Sequence, residues 1–242
     1  MTTSVVTISA SEFLAVTRQS CRLFLKHWWK WPLIMILSFA PAFVGAVLPF
    51  DPIFKKGFVL FGASLAGIIA TAFAFCHYKM ETLVNCVKES WWRLFGIALF
   101  SLVSSLAIWK LIELPALSLF ATAGEMAVYS GDAVSTDAIA PRHWVDAVHS
   151  FIFIFCASPF SMASALVIMR KLGTVSAIVV SVRCFAANWA IFLSLALITT
   201  ILHAFIQEPK WFLFVQLAIY MFVVTPVLTT VNVVMADQMT CA

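Results

Sequence analysis

Apolar residues gather into six stretches, Leu33 to Phe50, Gly57 to Cys76, Leu94 to Ile112, Ala147 to Met169, Ala186 to Ile206 and Trp211 to Met235. A hydrocarbon core of ~30 Å takes ~17–25 helical residues to cross, so each stretch predicts one transmembrane helix. Runs such as Gly67 to Phe75 show no apolar–polar alternation, which rules out the strands of a membrane barrel. Helices then remain the structure that satisfies every backbone polar group in lipid. The pattern predicts an all-α integral membrane protein with six transmembrane helices, in a single domain over residues 1–242.

The segment ahead of the first stretch has a different pattern. Ser9-x-x-Glu12 is a capping-box signature, and Arg18, Arg22, Lys26 and Lys30 then recur at four-residue spacing. Leu14, Thr17, Cys21, Phe24 and Trp28 fall opposite this basic stripe, which predicts an amphipathic helix lying in the membrane interface. Anionic headgroups would hold it at ~1 kcal/mol per nearby Lys or Arg. The ordinary role of such a helix is to fix topology; docking a specific lipid or protein is the functional one.

This lead is echoed later in the chain. Ser20 to Trp28 matches Ser181 to Trp189 at Ser, Arg, Phe and Trp, with His27 and Asn188 in equivalent polar places. A looser copy runs from Met80 to Arg93, with Leu83, Val84, Val87 and Trp91 on one face and Glu81, Asn85, Glu89 and Arg93 on the other. The expected architecture is three repeats of interfacial helix plus transmembrane hairpin, at 9–76, 80–169 and 174–235, with one long insertion at 113–146. All three would enter from the same face, unlike the inverted repeats of many secondary transporters. Ser-x-Arg-x-Phe-x-x-Asn-Trp at 181–189, after a span containing Pro159, resembles a broad group of bacterial six-helix inner-membrane proteins, including membrane domains found beside glycerophosphodiester phosphodiesterases. The resemblance implies a six-helix bundle and carries no reaction with it.

Composition agrees with the membrane reading. Of 242 residues, 63 % are hydrophobic and 11 % charged, too few charges to coat a soluble globule. Arg18, Arg22, Lys26, Lys30, Lys79 and Lys88, then Arg93, Arg170, Lys171 and Arg183, fall on one side of the six stretches. The other side holds Lys55, Lys56, Lys110, Arg142 and Lys210 beside most of the acids. The bias of Lys and Arg toward the cytoplasm predicts that both termini are cytoplasmic, and a bacterial inner membrane is the expected compartment. A cleavable signal peptide is not expected, because the first apolar run begins only at Leu33. Trp28, Trp29, Trp31, Trp91, Trp92 and Trp189 are expected in the inner interfacial belt, and Trp109, Trp144 and Trp211 in the outer one. The net charge of +4 is accounted for by the basic stripe facing anionic lipid, so no nucleic-acid partner is expected.

Chemistry is sparse. No Asp, Glu, Lys or Arg falls near the centre of a predicted span, which argues against proton pumps, ion-coupled carriers and voltage sensors. His149 and His203, with Glu113 and His143, share a depth near the outer leaflet and are the candidates for a metal or haem; hydrogen-bonded interfacial histidines are the commoner arrangement. Metal-binding, nucleophile-elbow and phosphate-loop motifs are absent, so no catalytic residue and no cofactor are assigned. Small residues every fourth position, Gly62, Ala66, Ala70 and Ala74, predict that the second span is the central one. Ser158, Pro159 and Ser161 in the fourth span, and Thr225, Pro226 and Thr229 in the sixth, predict kinks beside hydroxyl rows that serve as packing or line a pathway.

These observations lead first to a non-enzymatic accessory or scaffold subunit of a membrane complex. Such a subunit would contact anionic headgroups through Arg18, Arg22, Lys26, Lys30 and Arg183, and a protein partner or a second copy through the insertion. A small-molecule or lipid transporter is the alternative, and an immunity-type protein against a membrane-acting toxin a further one.

Overall fold

The computed structural model describes residues 4–47, 52–79, 83–123, 125–126, 143–206 and 219–241. Helix α1 (Ala10–His27) opens with the predicted capping box: the Ser9 amide donates to Glu12 Oε2 at 2.6 Å, and the Glu12 amide to Ser9 Oγ at 3.3 Å. After a single 3-10 turn the chain enters α2 (Trp31–Val47), which packs along α3 (Pro52–Lys79). Helix α4 (Leu83–Ile108) continues through a π turn (Trp109–Glu113) into α5 (Leu114–Leu117). The fourth stretch is two helices, α6 (His143–Ala157) and α7 (Ala163–Arg170), separated at Pro159 by a 3-10 turn (Ser158–Phe160), the predicted kink. Ser181 Oγ donates to the Pro159 carbonyl at 2.7 Å, so a neighbouring helix satisfies a backbone group at the break.

Lys171, in the left-handed region at φ 52°, turns the chain into α8 (Thr174–Ala187). An 89° bend at Asn188 then leads into α9 (Trp189–Ile206). Ahead of Pro226 the helix passes through a π turn (Tyr220–Val224) into α10 (Thr225–Met239) without interruption, Val224 being helical at φ −64° and ψ −53°, so the proline's missing N–H falls inside a continuous helix and the ladder adjusts by the π turn rather than by a break. Among the described residues, four segments are long and apolar enough to cross a bilayer: Phe61–Lys79, Val87–Leu117, Trp144–Arg170 and Phe222–Met239. The bent pair α8–α9 makes five if taken as one span. The first predicted stretch coincides with α2, whose 17 described residues are at the short limit for crossing; 48–50 and 211–218 lie outside the described residues. The chain is an all-α, membrane-embedded bundle.

The small-residue row of α3 faces inward as expected, with Gly62, Ala66, Ala70 and Ala74 all buried, and α10 is as buried as α3. Trp31 is a core residue, 2 % exposed against the edge of Phe73, and not part of an interfacial belt. Residues 83–93 are the first turns of the unbroken helix α4, so the third, looser lead forms no separate interfacial helix. On α1 the face packed against the bundle is Phe13, Val16, Ser20 and Leu23; Leu14, expected opposite the basic stripe, is exposed one turn from Arg18, and Trp28 is exposed as well.

One end of the bundle is closely tied. The C-terminal ends of α3, α7 and α10 meet where Asp237 accepts from Tyr78 at 2.7 Å and Lys79 at 3.0 Å, with Arg170 at 3.6 Å. Glu89 pairs with Lys171 at 2.8 Å, and Arg93 donates to the Lys171 carbonyl at 2.7 Å. The N-terminal strand β1 (Ser4–Val5) pairs antiparallel with β2 (Thr240–Cys241). Asn188, at the α8–α9 elbow, accepts from the Ile8 amide at 2.9 Å and donates to the Val6 carbonyl at 3.2 Å.

Candidate functional site

Each helix that reaches the centre of the bundle carries small or hydroxyl residues at three- and four-residue steps, so their faces converge without filling the space between them. The result is a cavity of about 450 Å³. Helix α3 contributes Ser64, Gly67 and Thr71, and α4 contributes Phe100, Ser101, Ser104 and Ser105. The α6–α7 break adds Ser158, Ser161 and Ser164; α9 adds Phe192 and Thr199; α10 adds Thr229 and Asn232. Gly67 is part of the reason the space exists: a Cβ built there meets nothing within 4 Å.

Most of the hydroxyl protons are committed inside the protein. Thr71 donates to the Gly67 carbonyl at 2.7 Å, Ser158 to Ile154 at 2.8 Å and Thr229 to Thr225 at 2.7 Å, the back-bonding to the preceding turn that helical Ser and Thr commonly make. Ser64 donates to Ser101 Oγ at 3.1 Å, Ser104 to the Ser101 carbonyl at 3.1 Å and Ser164 to Thr71 Oγ1 at 3.3 Å. Ser161 Oγ is buried and has no protein partner. No Asp, Glu, Lys, Arg or His occurs among the described lining residues.

Of the residues singled out in the sequence, Ser158, Ser161 and Thr229 line this cavity. Pro159 makes the break that spreads its wall. Thr225 and Pro226 stand behind the wall, their carbonyls accepting from Thr229 and Thr230. Sequence reasoning missed Ser101, Ser104, Ser105, Thr199 and Asn232, although Ser101-x-x-Ser104-Ser105 is a hydroxyl row at helical spacing inside an apolar span.

Two of the metal candidates do meet. His149 Nε2 lies 2.6 Å from Glu113 Oε1, joining the π turn after α4 to α6 at the end opposite Arg170. The sequence placed Glu113 at the rim, whereas its side chain is 2 % exposed. The side chains of His203 and His143 lie outside the described residues. Among the described residues no group of three His, Cys, Asp or Glu is placed to hold a metal ion.

The basic residues are elsewhere. Arg18, Arg22 and Lys26 on α1 and Arg183 on α8 are exposed, beside exposed Leu14, Leu25, Val179 and Val182. Lys30 is half-buried, its ammonium 5.3 Å from the ring centre of Trp29.

Fold and cavity together define the class: a membrane-embedded helical bundle with a hydroxyl-lined interior. No protein-family model, curated protein or solved structure matches the chain.

Proposed function

We propose that this protein is a non-enzymatic carrier or channel-like membrane protein that takes a small molecule into the centre of its helical bundle. The cavity carries the reading. A membrane bundle gains its stability from close packing, and here its central helices leave a space of about 450 Å³, partly open to the surroundings, beside an unpartnered buried hydroxyl. Its size falls in the ~300–1,000 Å³ range of small-molecule sites.

The wider setting belongs to the same proposal: six spans in a bacterial inner membrane, both termini cytoplasmic. The α1 surface, where Arg18 and Arg22 adjoin exposed Leu14, Leu25 and Trp28, fits anionic headgroups. Lead helices α1 and α8 are read as copies of one unit. Val16, Ser20, Trp31, Met35 and Ser38 are buried, and so are Ala177, Ser181, Phe192, Ala196 and Thr199, which follow in the same order at the same spacings. The accessory-subunit reading draws on that same α1 surface, but lipid alone accounts for it, whereas a scaffold has no use for the cavity.

Thiol accessibility tests the proposal. Ser101→Cys and Ser164→Cys, each in a chain whose six native cysteines are replaced, are exposed to a membrane-impermeant thiol reagent from either side of sealed vesicles. Reaction from at least one side is expected. No reaction from either side, while a cysteine at Arg18 reacts, refutes the proposal and returns the chain to the accessory-subunit reading.

A further inference from the structure

Taking the cavity as a ligand site, we infer that its ligand is an uncharged molecule with an apolar body and a hydroxyl group. The first argument is charge. No ionisable side chain occurs among the described lining residues, so a carboxylate, phosphate or ammonium would give up its hydration with no opposite charge to replace it.

The second argument is the balance of donors and acceptors. Thr71, Ser104, Ser158 and Thr229 spend their protons on their own helices, and Ser64 and Ser164 spend theirs on neighbouring ones. Ser104, Ser158, Ser164 and Thr229 keep oxygen lone pairs, so this part of the wall accepts hydrogen bonds. Ser161 is a buried hydroxyl with no protein partner and a proton to give, and Ser101, Ser105, Thr199 and the Asn232 amide add further donors to the wall. A ligand group that donates to the first set and accepts from Ser161 satisfies both, and an alcohol does this with one atom. An ether or ketone only accepts, and a hydrocarbon leaves Ser161 unpaired.

The third argument is the rest of the wall. Phe100, Phe153, Phe160, Phe192, Ile68 and Leu195 offer a surface that an alkyl or ring body covers and a sugar does not. The site therefore suits a lipid-derived or aromatic alcohol better than a polyol.

The test is photolabelling of the full chain in lipid nanodiscs. Four octyl probes each carry a diazirine and differ only in the head group: alcohol, methyl ether, carboxylate and ammonium. Labelled peptides are mapped by mass spectrometry, with excess octanol as competitor. Saturable, octanol-protected labelling in 97–105 and 153–164 is expected for the alcohol, about tenfold above the ether, as one to two hydrogen bonds would give. Ser161→Ala should lower the labelling of alcohol and ether alike by about fivefold, since both accept from Ser161, and should leave the preference for the alcohol in place. If alcohol and ether label the cavity equally, or a charged probe labels it best, the ligand class is wrong while the cavity stands as a site. If no probe labels it saturably, the reading of the cavity as a ligand site falls as well.

Discussion

Replacing Gly67 with leucine separates a functional cavity from a packing defect, because the two make opposite forecasts about activity at the same stability. Gly67 lies on α3, lines the cavity, and has nothing within 4 Å of where a Cβ would stand. Removing a helical glycine stabilises by about 1 kcal/mol. Each of the added carbons, if it packs against Phe100 or Ile154, is worth up to about 0.8 kcal/mol. Dispersion against lipid in the unfolded state and the loss of side-chain rotamers cut that sum, leaving about 1–3 kcal/mol net. At about 2–4 °C per kcal/mol for a chain of this size, the apparent melting temperature in detergent should rise by roughly 2–12 °C. The assay pairs that melt with the octanol photolabelling and the thiol accessibility of Ser101→Cys. A variant that is more stable yet no longer labelled or reactive supports the cavity as a site kept open at a cost to stability. A Gly67→Leu protein that melts lower than the parent refutes the geometry, and one that melts higher with labelling intact refutes the functional reading.

Four further outcomes follow from the same structure. Asn188→Ala should cost about 1–3 kcal/mol, because it strands the buried Ile8 amide while the exposed Val6 carbonyl turns to water; hydrogen exchange should show the Ile8 amide losing protection while α3 keeps its own, and unchanged Ile8 protection would count against the latch. Gly96→Ala should destabilise by about 1–2 kcal/mol despite its gain in helix propensity, since the new Cβ would stand 2.9 Å from Thr174 Oγ1 and push that hydroxyl off the Arg93 carbonyl; Thr174→Ser, which relieves part of the clash, should recover some of the loss in a thermal melt. His27 has its pKa lowered by burial, and by the nearby charges of His77, Lys30 and Lys26, so its neutral form is the one the fold favours; stability is full above about pH 6.5 and falls as pH drops through the lowered folded value, and a melt from pH 8 to 5 should show this loss diminished in His27→Gln. Glu113→Gln keeps the shape of the side chain but removes the charge facing His149, and should raise the thiol reactivity of Ser101→Cys at least threefold; an unchanged rate would mean the pair does not hold α4 against α6.

Local chemistry was legible in the sequence and facing was not. The Ser9–Glu12 box and the break at Pro159 each depend on a few neighbouring residues, and each appears where the pattern put it; the elbow at Asn188, held by Ile8 and Val6 from the far end of the chain, does not show in the pattern. Small residues also declare their face, as Gly62 to Ala74 did, because close helix approach needs them whatever surrounds the bundle. Large apolar residues do not. In lipid both the packed and the exposed side of a span are apolar, so nothing in the pattern distinguished Trp31 in the core from exposed Trp28 and Trp29, three and two residues earlier. The same ambiguity holds on α1, whose exposed side mixes Leu14 and Leu25 with Arg18 and Arg22, which water would punish and a headgroup region does not. Ser101 and Ser104 went unnoticed for a related reason, since serine is common in membrane helices and only the convergence of helices distant in sequence shows that these line a space.

The distribution of ties along the bundle bears on where a carrier of this design would open. At the Arg170 end, Asp237 gathers the ends of α3, α7 and α10; Lys171 joins α4 to the turn before α8; and the N-terminal strand is held by Met239 and Asn188. Any movement there has to break several hydrogen bonds at once. Toward the other end, α4 passes into a π turn, a helical irregularity that recurs at functional sites because one residue is bulged out of register, and Glu113 within that turn meets His149. His149 stands one helical turn from Phe153 of the cavity wall, and α10 is likewise preceded by a π turn at Tyr220–Val224. Two register faults and a carboxylate–imidazole contact thus lie on the same side of the cavity, away from the knot at Asp237. A rigid base with an adjustable rim is the arrangement in which a buried hydroxyl pocket can exchange its occupant without the bundle coming apart.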